Sequence, residues 1–135
     1  MDFTGKVVVI TGASSGIGEA LVYAFADRGA KVVMGARNSA KLAEIAAQLF
    51  TRGIESAFEA TDVTREEDCK RLIDKALSAF GRIDILICNA GISMRALFDD
   101  VQLDVLRQLM DVNFWGTVYC AKYALPALQA AKGTL

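Results

Sequence analysis

The residues best suited to chemistry in this chain are Thr11-Gly-Ala-Ser-Ser-Gly-Ile-Gly18, directly after the apolar run Lys6-Val-Val-Val-Ile10. Their chemistry is anion binding. Gly12 suits a tight turn, and Gly16 lets bare main chain approach a phosphate. Gly18 lets a following helix lie close to a sheet. Ser14 and Ser15 add hydroxyls and amides. The first amides of the helix, around Ile17 and Gly18, have no internal partner, so they face the anion with the positive end of the helix dipole. The same residue types also make ordinary turns. Context separates the two readings: a strand must end before Gly12 and a helix must begin after it.

That context is legible. Strand and helix alternate along the whole chain, with no linker, repeat or low-complexity segment. A first strand covers about residues 6–11, and the helix after the glycines runs to about Arg28. A second strand, Lys31–Ala36, precedes a helix capped by Asn38 or Ser39, with Leu42, Ile45, Ala46 and Leu49 on its apolar face. Gly53 closes it, and a third strand runs from Ile54 to about Ala60. Thr64 and Glu67 have capping-box spacing, with Leu72, Ile73, Ala76, Leu77 and Phe80 expected to face inward. Gly81 ends that helix and Ile83–Cys88 is the fourth strand. After a loop through Asn89–Asp99, one long helical pattern extends from about Gln102 to Lys132, with Pro126 placed to kink it and Gly133 at its stop.

Strands joined by helices of this length must be parallel, through right-handed crossovers. The expected fold is therefore α/β, a doubly wound parallel sheet of order 3-2-1-4. Its ligand crevice lies between the first and fourth strands, beyond their carboxyl ends. Gly12–Gly18 and Asn89–Gly91 are the two loops at that point, so separate signals converge on one place.

Composition narrows the function classes. The apolar share is 53%, above the ordinary value of about 45–50%, as strands buried on both faces would produce. A net charge of −1 gives no basic footprint for nucleic acid or an anionic membrane. No apolar run approaches the roughly 20 residues of a membrane span, and the amino terminus carries no secretory pattern. Cys69, Cys88 and Cys120 are odd in number and widely spaced. They suggest neither a disulfide framework nor a metal site, but free thiols in a reducing cytoplasm. The chain has no histidine, which excludes a Ser-His-Asp triad, a Cys-His pair and histidine-ligated zinc within it.

The glycine segment, Asp62-Val63 after the third strand, Asn89-Ala90-Gly91 after the fourth and Asn113 in the following helix together resemble the short-chain dehydrogenase/reductase family. The resemblance runs over the whole chain. It implies a Rossmann-like fold and a nicotinamide-dependent oxidoreductase moving hydride between cofactor and an alcohol or ketone. Asp62 would accept from the adenine amino group; it is equally placed to cap the helix beginning at Thr64. Asn89 would tie neighbouring loops together beneath the cofactor, or serve as a turn former. Gly91 would let the backbone pass close to the nicotinamide ribose. Asn113, mid-helix where asparagine is unfavourable, would bend the helix and hold a water relaying protons to the catalytic lysine. A solvent-facing polar residue is the plain alternative.

The end of the second strand decides which dinucleotide fits. A carboxylate there would accept both ribose hydroxyls and repel a phosphate, whereas arginine accommodates the 2′-phosphate. This chain reads Gly35-Ala-Arg37-Asn38, with no acid. Arg37 can stack on adenine and fork onto the phosphate, a charged hydrogen bond worth roughly 1.5–3 kcal/mol. Ser15 stands where some NADP-binding relatives carry a second basic residue. NADP(H) is therefore expected to be preferred over NAD(H) through Arg37.

In the family, a serine and a Tyr-x-x-x-Lys pair carry the reaction. Here Tyr23 is followed four residues on by Asp27, Tyr119 by Tyr123 and Tyr123 by Ala127. The chain is thus expected to be the amino-terminal, cofactor-binding part of a longer enzyme and inactive alone. A strand-4 edge at Ile83–Cys88 left unpaired, and a long helix exposing Phe114, Val118 and Leu125, would favour homo-oligomers. A non-catalytic dinucleotide-binding or regulatory module is the alternative. A phosphate-binding NTPase loop would need Gly-Lys-Ser/Thr where Ile17-Gly-Glu19 stands. A methyltransferase would want an acid at Arg37.

Overall fold

The computed structural model describes residues 2–135. Its strands are β1 (Val7–Thr11), β2 (Lys31–Ala36), β3 (Ser56–Ala60) and β4 (Ile85–Ile87), all parallel, in the order β3-β2-β1-β4. Val8 sits between Val32 and Ile85, so β1 lies at the centre of the sheet. Alternate residues of β1 and β2 serve opposite faces. Val8, Ile10, Val32 and Met34 pack with α1 (Gly16–Ala26) and α2 (Ser39–Thr51). Val7, Val9 and Val33 pack with α3 (Glu66–Phe80) and α5 (Gly116–Ala131). Each of these fully buried aliphatic side chains contributes roughly 1.5–3 kcal/mol of burial.

Asp84 joins the start of β1 to the start of β4. Its carboxylate, 3% exposed, accepts from the Val7 amide at 3.0 Å, from Arg82 Nε and Nη2 at 2.8 and 2.6 Å, and from Lys6 Nζ at 3.2 Å. Burial raises its pKa, but Arg82, the Val7 amide and Lys6 outweigh that and hold it below the usual carboxylate value.

Several sequence expectations are corrected. Thr64 and Glu67 form no capping box. Instead the Thr64 amide and hydroxyl both donate to Asp62 Oδ1, at 3.0 and 2.7 Å, and Arg65 is the N-cap of α3. A local Asp side-chain turn has outcompeted the cap. Leu77 is 37% exposed, at the outer flank of the stripe that buries Leu72, Ile73 and Ala76. The long helix is interrupted: α4 (Leu103–Met110) passes through a π turn at Asp111–Trp115 before α5, while Pro126 sits inside α5 without ending it. At the end of α5 the left-handed residue is Lys132, followed by Gly133.

The strand-4 edge expected at Ile83–Cys88 is covered at its start, around β4's first residues. Thr134 donates to the Asp84 carbonyl at 2.9 Å and accepts from the Leu86 amide at 3.0 Å, a parallel bridge to Ile85. Ile83 and Leu86 are buried. Gly133 makes this return possible, because a Cβ there would strike the Asp84 carbonyl. Phe114 and Leu125 are exposed as expected, at 48% and 51%; Val118 is half-buried.

Candidate functional site

The site begins where β1 ends. The chain turns at Gly12 (φ +66°), and Ser15 enters α1 with an extended backbone and no side-chain capping bond. Neither the Ser14 nor the Ser15 hydroxyl is hydrogen-bonded among the described residues, so both are available to a ligand along with the first amides of α1. Gly16 adopts φ +55°, and a Cβ there would meet open space. Gly18 does the opposite work, since a Cβ there would strike the Gly12 carbonyl and lie 2.6 Å from Asn89 Nδ2.

Asn89 and Thr11 join this turn to the loop after β4. Asn89 Nδ2 donates to the carbonyls of Thr11 and Gly12 at 3.1 and 3.3 Å, while the Ala90 amide donates to Thr11 Oγ1 at 3.0 Å. The two loops named from the sequence therefore form one wall.

They open onto a cavity of about 900 Å³ at the carboxyl ends of the strands. Gly12, Ser14, Ser15 and Ile17 line one side of it, and Arg37 and Asn38 follow from β2. Asp62 and Val63 follow from β3, and Asn89, Ala90 and Gly91 from β4. Gly16, Gly18 and Asn113 lie outside the lining. Thr61, Ile92, Gln108, Asp111 and Val112 also line the cavity and were not singled out from the sequence. Thr61 could have been found from its place after the third strand. The other four arrive through tertiary packing of the loop after β4 (Ile92), of α4 (Gln108) and of the π turn (Asp111 and Val112), which local spacing does not report.

Charge in the cavity is sparse. Arg37 is the one cation among the described lining residues, exposed and in no ion pair. Lys41, one turn further along, is tied to Glu19 and Glu44, each at 3.5 Å. Asn38 caps α2 by accepting from the Lys41 amide at 3.0 Å.

On the opposite wall Asp62 Oδ1 is occupied by Thr64, while Oδ2 has no hydrogen-bond partner among the described residues. The adjoining Val63 amide likewise donates to no described group. A free carboxylate acceptor beside a free amide donor matches the amino group and ring nitrogen along one edge of adenine.

Asn113 acts on the loop. Its Oδ1 accepts from the Ile92 amide at 2.9 Å and its Nδ2 donates to the Ile92 carbonyl at 2.8 Å, pinning the π turn to the segment after Gly91. Among the described residues no tyrosine lines the cavity. Tyr23 donates to Gln48 and Tyr123 to Glu66, both at 2.6 Å, and Tyr119 stacks on Trp115. The Glu66 carboxylate pushes the Tyr123 hydroxyl up to about 12, away from acid–base work near neutrality. Among the described residues no group of His, Cys, Asp and Glu could hold a metal ion, and no helix is long and apolar enough to cross a membrane.

The unpartnered serine hydroxyls, the open space at Gly16 and the lone Arg37 fit a ligand with phosphates, and the Asp62–Val63 corner fits its base. Known proteins resemble this chain over nearly its whole length. A family model described as short chain dehydrogenase matches residues 6–135. The 11-beta-hydroxysteroid dehydrogenase A of Sesamum indicum is 43% identical over 136 residues, covering 99% of this chain and 39% of that protein. An alcohol dehydrogenase from the archaeon Thermococcus sibiricus, complexed with 5-hydroxy-NADP, superposes with a TM-score of 0.92 at 33% identity, over 95% of this chain and 55% of that one. A short-chain dehydrogenase/reductase from Burkholderia phymatum in complex with NAD gives a TM-score of 0.90 at 31% identity, over 96% and 46%. The chain spans between 39% and 55% of the length of these relatives. Sequence match and superposed sheet agree over nearly all of it, and the chain belongs to the short-chain dehydrogenase/reductase family.

Proposed function

We propose that these residues are the cofactor-binding part of an NADP(H)-preferring oxidoreductase that interconverts an alcohol and a ketone. When bound, the nicotinamide cofactor supplies or takes up the hydride. This chain's residues hold it: the Gly12–Gly18 turn cradles the pyrophosphate, Asp62 and Val63 take the adenine edge, and Asn89–Gly91 support the nicotinamide ribose.

The observation that carries the preference is Arg37, exposed and unpaired on the cavity wall with no carboxylate beside it after β2. A fork onto the 2′-phosphate supports NADP(H) by roughly tenfold to a hundredfold. Competitive NADPH and NADH titration of the wild type and Arg37→Asp tests this. The affinity ratio moves toward NADH in the variant; an unchanged ratio overturns the assignment.

Turnover needs a general acid/base and a lysine of the kind that Tyr-x-x-x-Lys supplies, which these residues do not contain. We expect them to bind cofactor without turning it over. The exposed apolar side chains Phe114, Trp115 and Leu125 along the long helix support self-association of the protein.

A further inference from the structure

The Asp62–Val63 corner is shaped from behind by α3, and we infer that Asp68, held by Arg71, is a positioning residue for adenine recognition. The inference rests on the reading above, in which Asp62 accepts from the adenine amino group.

Two consecutive side chains in the first turn of α3 grip two consecutive residues of the cavity wall. Asp68 Oδ2 accepts from the Asp62 amide at 3.0 Å, and the Cys69 thiol donates to the Val63 carbonyl at 3.5 Å. Thr64 occupies Asp62 Oδ1 with two further bonds. Once the Asp62 backbone and one carboxylate oxygen are fixed, the direction of its free oxygen is fixed too.

Asp68 is itself held. Only 8% exposed, it takes Arg71 Nη2 at 2.8 Å and faces Arg65 Nε at 3.6 Å. Arg71 is steered in turn by Glu59 of β3, at 3.5 Å. Burial raises the Asp68 pKa, but the Asp62 amide and Arg71 outweigh it, so the carboxylate stays ionised at neutral pH.

A role confined to capping α3 does not explain this geometry. Asp68 stands three residues after the N-cap Arg65, where a capping side chain would reach back to the Arg65 amide. The Arg65 amide instead donates to the Asp62 carbonyl, and Asp68 reaches past it to a residue of the cavity.

The test measures binding of NADPH and of its purine analogue lacking the 6-amino group, together with ligand-free thermal midpoints, in the wild type, Asp68→Ala, Asp68→Asn and Arg71→Met. The wild type is expected to prefer the adenine form by about tenfold. In Asp68→Ala the preference drops to about threefold or less, with affinity for the analogue nearly unchanged. Asp68→Asn keeps most of the preference, because its amide oxygen still accepts from Asp62. Arg71→Met, altering a half-exposed side chain, falls between and decides the matter should Asp68→Ala not fold.

Equal weakening of both ligands would mean a merely structural role and overturn the inference. So would full preference retained in both Asp68→Ala and Arg71→Met. Absence of any preference in the wild type overturns the Asp62 reading itself, and the inference with it.

Discussion

The side-chain amide of Asn89 reaches across from the loop after β4 to the carbonyls of Thr11 and Gly12, at 3.1 and 3.3 Å. That position requires a donor. Asn89→Asp keeps the shape but sets a carboxylate against two carbonyl oxygens, so it should destabilise more than Asn89→Ala. The alanine variant is expected to lose about 1–3 kcal/mol, read by urea unfolding, and both variants should bind NADPH less well. Equal losses in the two variants would contradict the donor argument.

Gly16 and Gly18 make opposite demands. At Gly16 an alanine enters open space with φ +55°, a strain of roughly 1–2 kcal/mol, and in the proposed binding mode its methyl stands on the phosphate's approach. Nucleotide affinity should fall further than stability. At Gly18 the methyl is driven into the Gly12 backbone, so Gly18→Ala should lose stability first, by about 2 kcal/mol or more. Thermal unfolding with and without NADPH separates the two patterns.

Asp84 gives the fold an acid limit. Its folded-state pKa lies below the unfolded value of about 3.9. Its contribution is therefore complete above that value and is lost as pH falls through the folded pKa. The chain should be insensitive to pH on this account near neutrality and weaken below about pH 4. Asp84→Ala should flatten that acid limb and cost about 1–3 kcal/mol at neutral pH. Lys6 and Arg82 are half-exposed and can rehydrate, whereas the buried Val7 amide cannot.

Self-association should centre on the long helix. Light scattering is expected to show mass rising with concentration. Replacing Phe114 and Leu125 together by glutamate should lower it, while at concentrations where the wild type is monomeric the ligand-free unfolding midpoint should change by no more than about a degree, since both are exposed. A wild type that stays monomeric at high concentration would contradict this.

Much of the architecture was legible because it is periodic. Lys31–Ala36 is apolar on both faces and flanked by Gly29 and a cap residue, and it forms β2 with those bounds. Helical crossovers make the strands parallel, and the observed order is the one expected of a sheet wound outward from β1. What escaped was competition between local and distant partners. Thr64 and Glu67 have the spacing of a capping box, yet Asp62 captures Thr64 and Asp68 captures the Asp62 amide. The π turn cannot be read from hydrophobic spacing. It lies where Asn113 bonds the Ile92 backbone and where Gly116 packs so closely on Val63 that a Cβ would sit 2.8 Å from its side chain. The covered start of β4 depended on Thr134, whose contribution is a pair of backbone bonds that any residue but proline could make.

The bond from Asn89 to Thr11 spans 78 positions of the chain. The turn proposed to cradle the pyrophosphate is therefore not a local motif that folds first and recruits the rest. It exists only in molecules that have already brought the fourth strand beside the first, a step whose loop-closure entropy must be met beforehand. A nucleotide arriving at the cradle accordingly inspects the finished sheet. At a hundredfold excess over its Kd it would add about 2.7 kcal/mol to the free energy of unfolding, and it would add nothing to chains that have not yet closed the ring of contacts.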